Sequence, residues 1–351
     1  MLTTTVKALM TYVCPSAARR KNRRDKVTII GAGSVGVALA YTLLTQKKTS
    51  ELVLIDKSEE QLQGEHMDMI QGAMFMESPR ITSTTDYHKT VDSCVVIITV
   101  GAVMQEDENE MDAAKRNAEI LKEIVPAIVK ESPEAVVVVM TQPVDICSYI
   151  VWKLSKFPAH RVIGSGTCLQ SANFKSLIAE RLGVSPSAVQ ACIIGEPGQK
   201  SIPVWSGVTI CGVRLKDINA DIGTDEDPED WNYIHKEIVK NSNCIKSIKG
   251  HEALSMAQAM AKITSAILED TRECMPVSTH IRGCRHKDSD AGDRKDVYLS
   301  LPCILSSCGV SYIVRQQLTE KEKNLLQKSA DKMNEIQSGL DLTLSEMYAN
   351  K

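Results

Sequence analysis

At 351 residues the chain exceeds a usual single domain, and its 43% apolar and 24% charged residues suit a folded globular protein, which excludes the disordered and fibrous classes. A net charge of −3 offers no global attraction to nucleic acid, and no uninterrupted apolar run reaches the eighteen or so residues a membrane span needs. Eleven cysteines lie scattered without a C-x-x-C pair or a zinc-like His spacing, so they are read as small buried thiols of a reducing, cytoplasmic compartment, with no metal expected.

In chain order, residues 1–25 are expected to form a flexible basic arm, because the first 24 residues hold six Lys or Arg and no acid. Thr, Ser, Ala and Arg19, Arg20, Lys21, Arg23 and Arg24 together have the composition of a mitochondrial transit segment. A solvated tail or an arm is preferred to targeting. A secretory signal does not fit, since Lys7 interrupts the apolar stretch and the basic cluster follows it.

Val27-Thr28-Ile29-Ile30 then reads as a strand, Gly31-Ala32-Gly33-Ser34-Val35-Gly36 as a tight turn, and Val37 to Leu44 as a helix. Asp56 closes a second strand, Leu52 to Ile55, twenty residues beyond Gly36. This is the context in which a glycine turn binds a dinucleotide: Gly31 allows the turn, Gly33 admits the pyrophosphate to the backbone, and Gly36 lets helix and strand pack. Ser34, Val35 and Gly36 open the helix whose free N–H groups meet phosphate, while Asp56 accepts from ribose hydroxyls and favours NAD. Cys94 to Val100 and Ala135 to Met140 read as further buried strands, separated by a helix over Asp112 to Glu131 that Pro126 is expected to kink. The fold class is therefore α/β, a doubly wound parallel sheet, with Thr99, Gly101 and Gln142 at strand ends facing the ligand crevice.

From Lys26 to about Gly339 the motifs resemble those of vertebrate-type L-lactate dehydrogenases, in the lactate/malate dehydrogenase superfamily. The resemblance is carried by Gly31 to Gly36, Gly64-Glu65, Val96-Ile97-Ile98-Thr99, Arg116-Asn117, Pro143-Val144-Asp145-Ile146 and Arg161 to Gly166. It continues through Glu180 to Val184, Pro203-Val204-Trp205-Ser206-Gly207, Pro276 to Thr279, Pro302 to Leu305 and Lys328 to Asp331. It implies an NAD-binding Rossmann domain over 26–166 and a mixed α/β substrate domain over 167–351. It also implies a tetramer, homomeric or shared with an active relative, and an amino-terminal arm that crosses to a neighbouring subunit. Thr319 and Glu322 form a capping box opening the last long helix. The polar stretch Cys284 to Asp293 reads as a surface insertion.

The resemblance also shows which chemistry is absent. The family's general base is the histidine of a Gly-Glu-His-Gly turn; here Gly195-Glu196-Pro197-Gly198 puts Pro197 there, with no titratable group and no N–H. Gln170 replaces the orienting aspartate and Asn173 the arginine that clamps the substrate carboxylate. Glu110 stands for the carbonyl-polarising arginine, Met104 for the substrate-selecting glutamine, Val103 for a cofactor-contacting arginine, and Glu252 for a substrate-facing threonine. Gln142 takes the place of an asparagine near the nicotinamide. Losing a base costs about 10²–10⁴ in rate, and losing one charge-stabilising donor roughly a further 10²–10³. A Glu110 charge facing an anionic substrate adds repulsion on the order of 4 kcal/mol at ~4 Å. The expectation is a lactate dehydrogenase-like protein, inactive on 2-hydroxy acids, with weakened NAD binding and a structural or regulatory oligomeric role. The alternative is an NAD-dependent oxidoreductase acting on a 2-hydroxy acid or an altered alcohol, for which Glu252 is the candidate base, His251 beside it being read as a satisfied or partly exposed histidine.

Overall fold

The computed structural model describes residues 4–14, 25–102, 109–281, 296–340 and 342. Its amino-terminal half contains α1 (Thr4–Leu9), β1 (Met10–Tyr12), β2 (Val27–Ile30), α2 (Ser34–Thr45), β3 (Glu51–Ile55), α3 (Glu59–Gly72), β4 (Arg80–Thr84) and β5 (Val95–Ile98). Then come α4 (Glu110–Glu131), β6 (Val136–Val139), α5 (Val144–Ser155), β7 (Val162–Gly164) and α6 (Cys168–Leu182). The carboxyl half begins with the short strands β8 (Val189–Gln190), β9 (Ile193–Ile194), β10 (Ile202–Pro203), β11 (Thr209–Ile210) and β12 (Val213–Arg214). It closes with α7 (Leu215–Ile218), α8 (Tyr233–Lys249), α9 (Ala253–Leu268), β13 (Cys274–His280), β14 (Tyr298–Ser306), β15 (Gly309–Val314) and α10 (Glu320–Ser338).

Among the described residues, ten strands form one sheet in the order β1-β15-β14-β13-β7-β6-β5-β2-β3-β4. From β7 to β4 every pairing is parallel. From β7 to β1 every pairing is antiparallel. The parallel strands are apolar on both faces because helices cover both. Ile29, Leu54, Ile97 and Val138 enter one core with Leu39 of α2 and Ala261 of α9. Their sequence neighbours Ile30, Val53, Ile98 and Val139 enter the other, with Leu121 of α4, Ile150 of α5 and Met333 of α10. The joint between the two regimes is Gly164: a Cβ there would lie 2.6 Å from both Ser148 Oγ and Ser278 Cβ, so only glycine lets β13 close against β7. A third cluster, in which the Phe174 and Trp205 rings meet edge-on at 4.8 Å, fastens α6 under the short strands and contributes about 0.5–1.5 kcal/mol beyond its buried area.

One expectation changes. The described part of the amino-terminal arm is no free tail: β1 pairs with β15 of its own chain, Met10 opposite Val314 and Tyr12 opposite Tyr312. Apolar Met10 and Tyr12 and the open edge of β15 satisfy one another's backbone groups, a combination that a reading based on the basic cluster overlooked. Pro126 lies inside α4, which runs on to Glu131. Cys284 to Asp293 and the basic cluster Arg19 to Arg24 lie outside the described residues. The capping box forms as expected: Thr319 Oγ1 accepts from the Glu322 N–H at 3.3 Å, and Glu322 Oε2 accepts from the Thr319 N–H at 2.7 Å. No helix among the described residues is long and apolar enough to cross a membrane.

Candidate functional site

The carboxyl ends of β2, β3 and β5 converge on the glycine turn. Gly31 has φ +115°, and a Cβ there would sit 2.5 Å from Thr99 Oγ1. A Cβ on Gly36 would lie 1.8 Å from the Gly31 carbonyl oxygen, so helix and turn touch backbone to backbone. Gly33 differs, since nothing lies within 4 Å of its Cβ position and it caps α2 without a side chain. The backbone N–H groups of Ser34, Val35 and Gly36 therefore start the helix behind open space that a phosphate can fill. Asp56 is tied into the turn, its Oδ2 accepting from the Ala32 N–H at 2.7 Å and its Oδ1 from the Ser58 N–H at 3.2 Å. Thr99 donates to the Gly31 carbonyl at 3.0 Å, bracing the turn from the next strand. These residues fit a dinucleotide: the cradle is the space a Gly33 Cβ would occupy, and the Asp56 carboxylate is held in place with lone pairs to spare.

Gly101 and Gln142 sit at the same edge, both exposed. They are linked by a residue whose role the sequence did not disclose, the fully buried Asn117. Its Oδ1 accepts from the Ala102 N–H at 2.8 Å and its Nδ2 donates to the Gln142 carbonyl at 2.7 Å, joining the loops after β5 and β6. Its place in the Arg116-Asn117 signature was the only clue.

The second turn, Gly195 to Gly198, connects β9 to β10 with Gly195 at φ +82° and Gly198 at φ +108°. It is pinned to β14 by reciprocal backbone bonds between Gly195 and Ser300 at 2.9 and 3.1 Å. Gln170 Oε1 accepts from the Gly198 N–H at 3.3 Å, so the amide that replaces the orienting carboxylate reaches the residue beside Pro197. Asn173 is exposed one helical turn further along α6.

Glu110 is the first residue of α4, and its carboxylate pairs with Lys332 of α10 and lies 3.9 Å from Lys200 Nζ. Lys332 Nζ is also 3.0 Å from Glu196 Oε1, so one ammonium bridges the α4 terminus and the proline turn. This alters the expectation of a bare Glu110 charge, since two lysines already compensate it. Burial raises the Glu196 carboxyl above its ordinary value, against the pull of Lys332 and with help from Glu110. Burial lowers Lys332, but its contacts with Glu110 and Glu196 outweigh that and hold it above its usual range. Deeper in, burial raises Asp145 well above the carboxylate range, opposed by the Ser278 hydroxyl that donates to it at 2.5 Å.

Glu252 stands apart at the α8–α9 junction, its carboxylate accepting from Ser242 Oγ at 2.7 Å and Ser255 Oγ at 3.4 Å. His251 precedes it with a buried, unpartnered Nδ1. Met104 and Val103 lie outside the described residues. The sequence reading did not single out His235, whose Nε2 is 2.8 Å from Ser201 Oγ, four residues past Pro197, and whose pKa burial lowers. His235, Lys328 and Lys332 line a cavity of ≈ 660 Å³ with Glu196 and Trp205. No pattern along the chain joins these residues; packing of α8 and α10 against the turn does.

The sequence has relatives among known proteins. Residues 25–164 match the lactate/malate dehydrogenase NAD binding domain, and residues 167–342 match the lactate/malate dehydrogenase alpha/beta C-terminal domain. The chain is 43% identical to a zebrafish (Danio rerio) L-lactate dehydrogenase B-B chain, over 90% of this chain and 93% of the relative. It is 43% identical to human (Homo sapiens) L-lactate dehydrogenase A-like 6A, over 91% and 94%. It is 40% identical to the L-lactate dehydrogenase A chain of carp (Cyprinus carpio), over 98% of this chain and 100% of the relative. With a glycine turn shaped for a dinucleotide and both domain models matched in sequence, the chain belongs to the lactate/malate dehydrogenase family and carries its NAD-binding domain.

Proposed function

We propose that this chain is a lactate dehydrogenase-like protein that does not turn over 2-hydroxy acids, retains weakened NAD binding, and acts as a subunit of a cytoplasmic oligomer. The observation that carries this reading is Pro197 in the turn that Gln170 reaches. A 2-hydroxy acid gives up a hydroxyl proton as its hydride leaves, and neither a pyrrolidine ring nor a neutral amide takes that proton. Two cations beside the turn, Lys332 and Lys200, already face Glu110 and Glu196. Bound NAD would supply the hydride acceptor. Of the chain's own groups, the first-turn N–H donors of α2 and the Asp56 carboxylate would hold its phosphates and ribose, while Gln142 and the missing loop arginine at Val103 leave the nicotinamide end less supported.

Oligomer formation is favoured by the apolar face of α3 and the residues after it, where Met67 and Ile70 are exposed and Met74 and Phe75 are 86% and 88% exposed. The expected form is a tetramer, homomeric or mixed with an active relative. The dispersed free cysteines suit a reducing compartment. An NADH-coupled absorbance assay across lactate, malate and non-acidic alcohols tests the reading: turnover at the solvent background is expected, and any turnover clearly above it defeats the inactive assignment. Calorimetric titration is expected to give NADH binding weaker than that of an active relative measured alongside.

One observation favours a second reading, an oxidoreductase with an altered alcohol substrate. His235 is kept neutral by burial and sits on Ser201 near the proline turn, so it can accept a proton. On this reading His235→Gln abolishes whatever alcohol turnover the assay finds.

A further inference from the structure

Beside the proline turn lies space that neither the glycine turn nor the family's substrate positions use. The ≈ 660 Å³ cavity is walled by the segment from Glu196 to β10, by α7 and the residues after it, by the start of α8 and by one side of α10. Its volume falls within the range of small-molecule sites, about 300–1,000 Å³. None of Gln170, Asn173, Pro197, Glu252 or the glycine turn contributes to its lining. The inner wall is apolar and buried, with Trp205 5%, Ile222 4% and Ile202 2% exposed. The rest is cationic: five lysines line the cavity against two glutamates, and both carboxylates are engaged. Glu322 Oε2 accepts from Ser206 Oγ and from the Thr319 N–H, each at 2.7 Å, while Glu196 Oε1 meets Lys332 Nζ at 3.0 Å. Lys216 of α7 and Lys328 of α10 have no ion-pair partner among the described residues, so their charges are uncompensated. An independent observation is the Trp205 indole N–H, which is buried without a hydrogen-bond partner. That edge of the ring faces Gly223, another residue of the cavity wall, whose Cβ position lies 2.5 Å from Nε1. A buried donor is rarely left unpaired, and the cavity is the space from which an acceptor can reach it.

We propose that this cavity binds a small aromatic phosphate monoester, its ring against Trp205, Ile202 and Ile222 and its phosphate toward Lys216 and Lys328. The apolar wall supplies burial for a ring, and the indole N–H an acceptor site for an oxygen of the ester. Two uncompensated ammonium groups match a phosphate, which carries nearly two negative charges near neutrality, better than a carboxylate, which carries one. Lysine acts on phosphate as a point charge on a flexible stem, so the two side chains need no preset geometry to converge on it. Lys332 is held by Glu110 and Glu196 and is not needed for the contact. This inference rests on neither reading of turnover, since it concerns binding alone.

The test is calorimetric titration of the full-length chain with naphthyl phosphate, alongside naphthol, naphthoate and inorganic phosphate. The expected result is saturable binding of naphthyl phosphate at one site per chain, with each of the other three at least about tenfold weaker, because each lacks the ring, the charge or half of the charge. Rising salt should weaken the naphthyl phosphate affinity and leave that of naphthol unchanged. Lys216→Met and Lys328→Met combined should cost about tenfold or more while the urea midpoint stays where it was, since neither lysine holds an ion pair. Leu325→Glu, which puts a like charge on a partly exposed wall residue, should weaken binding as well. Gly33→Ala and saturating NADH should change nothing, which separates this cavity from the glycine turn. Absence of saturable binding, equal affinity for naphthol and naphthyl phosphate, or a loss in Gly33→Ala without one in the lysine variant overturns the proposal.

Discussion

The two glycine turns of this molecule have had different fates. Around Gly31 to Gly36 the backbone and its partners are intact, with Thr99 and Asp56 both hydrogen-bonded into the turn. Around Gly195 to Gly198 the backbone is equally well held by Ser300, yet the side chains that would do chemistry are a proline and an amide. A turn's conformation is set by glycine, strand pairing and burial, whereas its chemistry depends on single side chains that the fold does not need. The backbone of a turn can therefore stay fixed while its side chains differ.

The largest expected effect restores chemistry to the second turn. Combining Pro197→His, Gln170→Asp, Asn173→Arg and Glu110→Arg should raise lactate turnover by about 10²–10⁴, measured by NADH absorbance. An arginine at position 110 would, however, face Lys332 and Lys200, which now pair with Glu110. Adding Lys332→Met should therefore improve the quadruple variant further; if it does not, the ion-pair network is irrelevant to the site.

Next comes the first turn. Gly36→Ala places a methyl 1.8 Å from the Gly31 oxygen and should destabilise the protein by about 3 kcal/mol or more in urea unfolding. Gly198→Ala, strained in φ but with nothing within 4 Å, should cost only about 1 kcal/mol. Gly33→Ala should leave stability unchanged but weaken NADH binding at least about tenfold in calorimetry, because its methyl fills the space meant for phosphate. Equal losses for Gly36→Ala and Gly198→Ala would erase the contrast between the turns.

Lys332→Met alone leaves Glu110 and Glu196 facing each other without their shared cation. Partial exposure limits the cost to about 1–2 kcal/mol, read from the urea midpoint.

The smallest effect concerns pH. The folded pKa of Asp145 lies above its ordinary value, chiefly through burial, so the folded state binds that proton more tightly than the unfolded chain does. Its contribution to stability is fully present below the ordinary carboxylate value and is lost as pH rises through the raised folded one. Asp145→Asn should remove that part of the slope and leave the protein at least as stable at pH 7. A steeper loss of stability with rising pH in the variant would show that the ionised carboxylate is needed.

Much of the fold was legible along the chain. The β-branched runs Val27 to Ile30 and Val136 to Val139 became buried parallel strands because strand length and apolar content are local properties. The glycine spacing before α2 and the Thr319–Glu322 cap were legible for the same reason. The edge pairing of β1 was not, since it depends on β15 some three hundred residues away offering an open edge. Nor was the Glu110–Lys332–Glu196 bridge, whose members come from three distant segments.

The amino acids alone determined that position 197 carries no titratable group, because no packing gives proline one. They also determined that the first turn suits a dinucleotide, because glycine's conformational freedom belongs to the residue itself. Only the tertiary structure decided that Glu110 meets lysines, that Asn117 braces two loops, and that β1 meets β15. Charge pairing, buried hydrogen bonds and strand pairing act over a few ångströms in space, and distance along the chain does not report them.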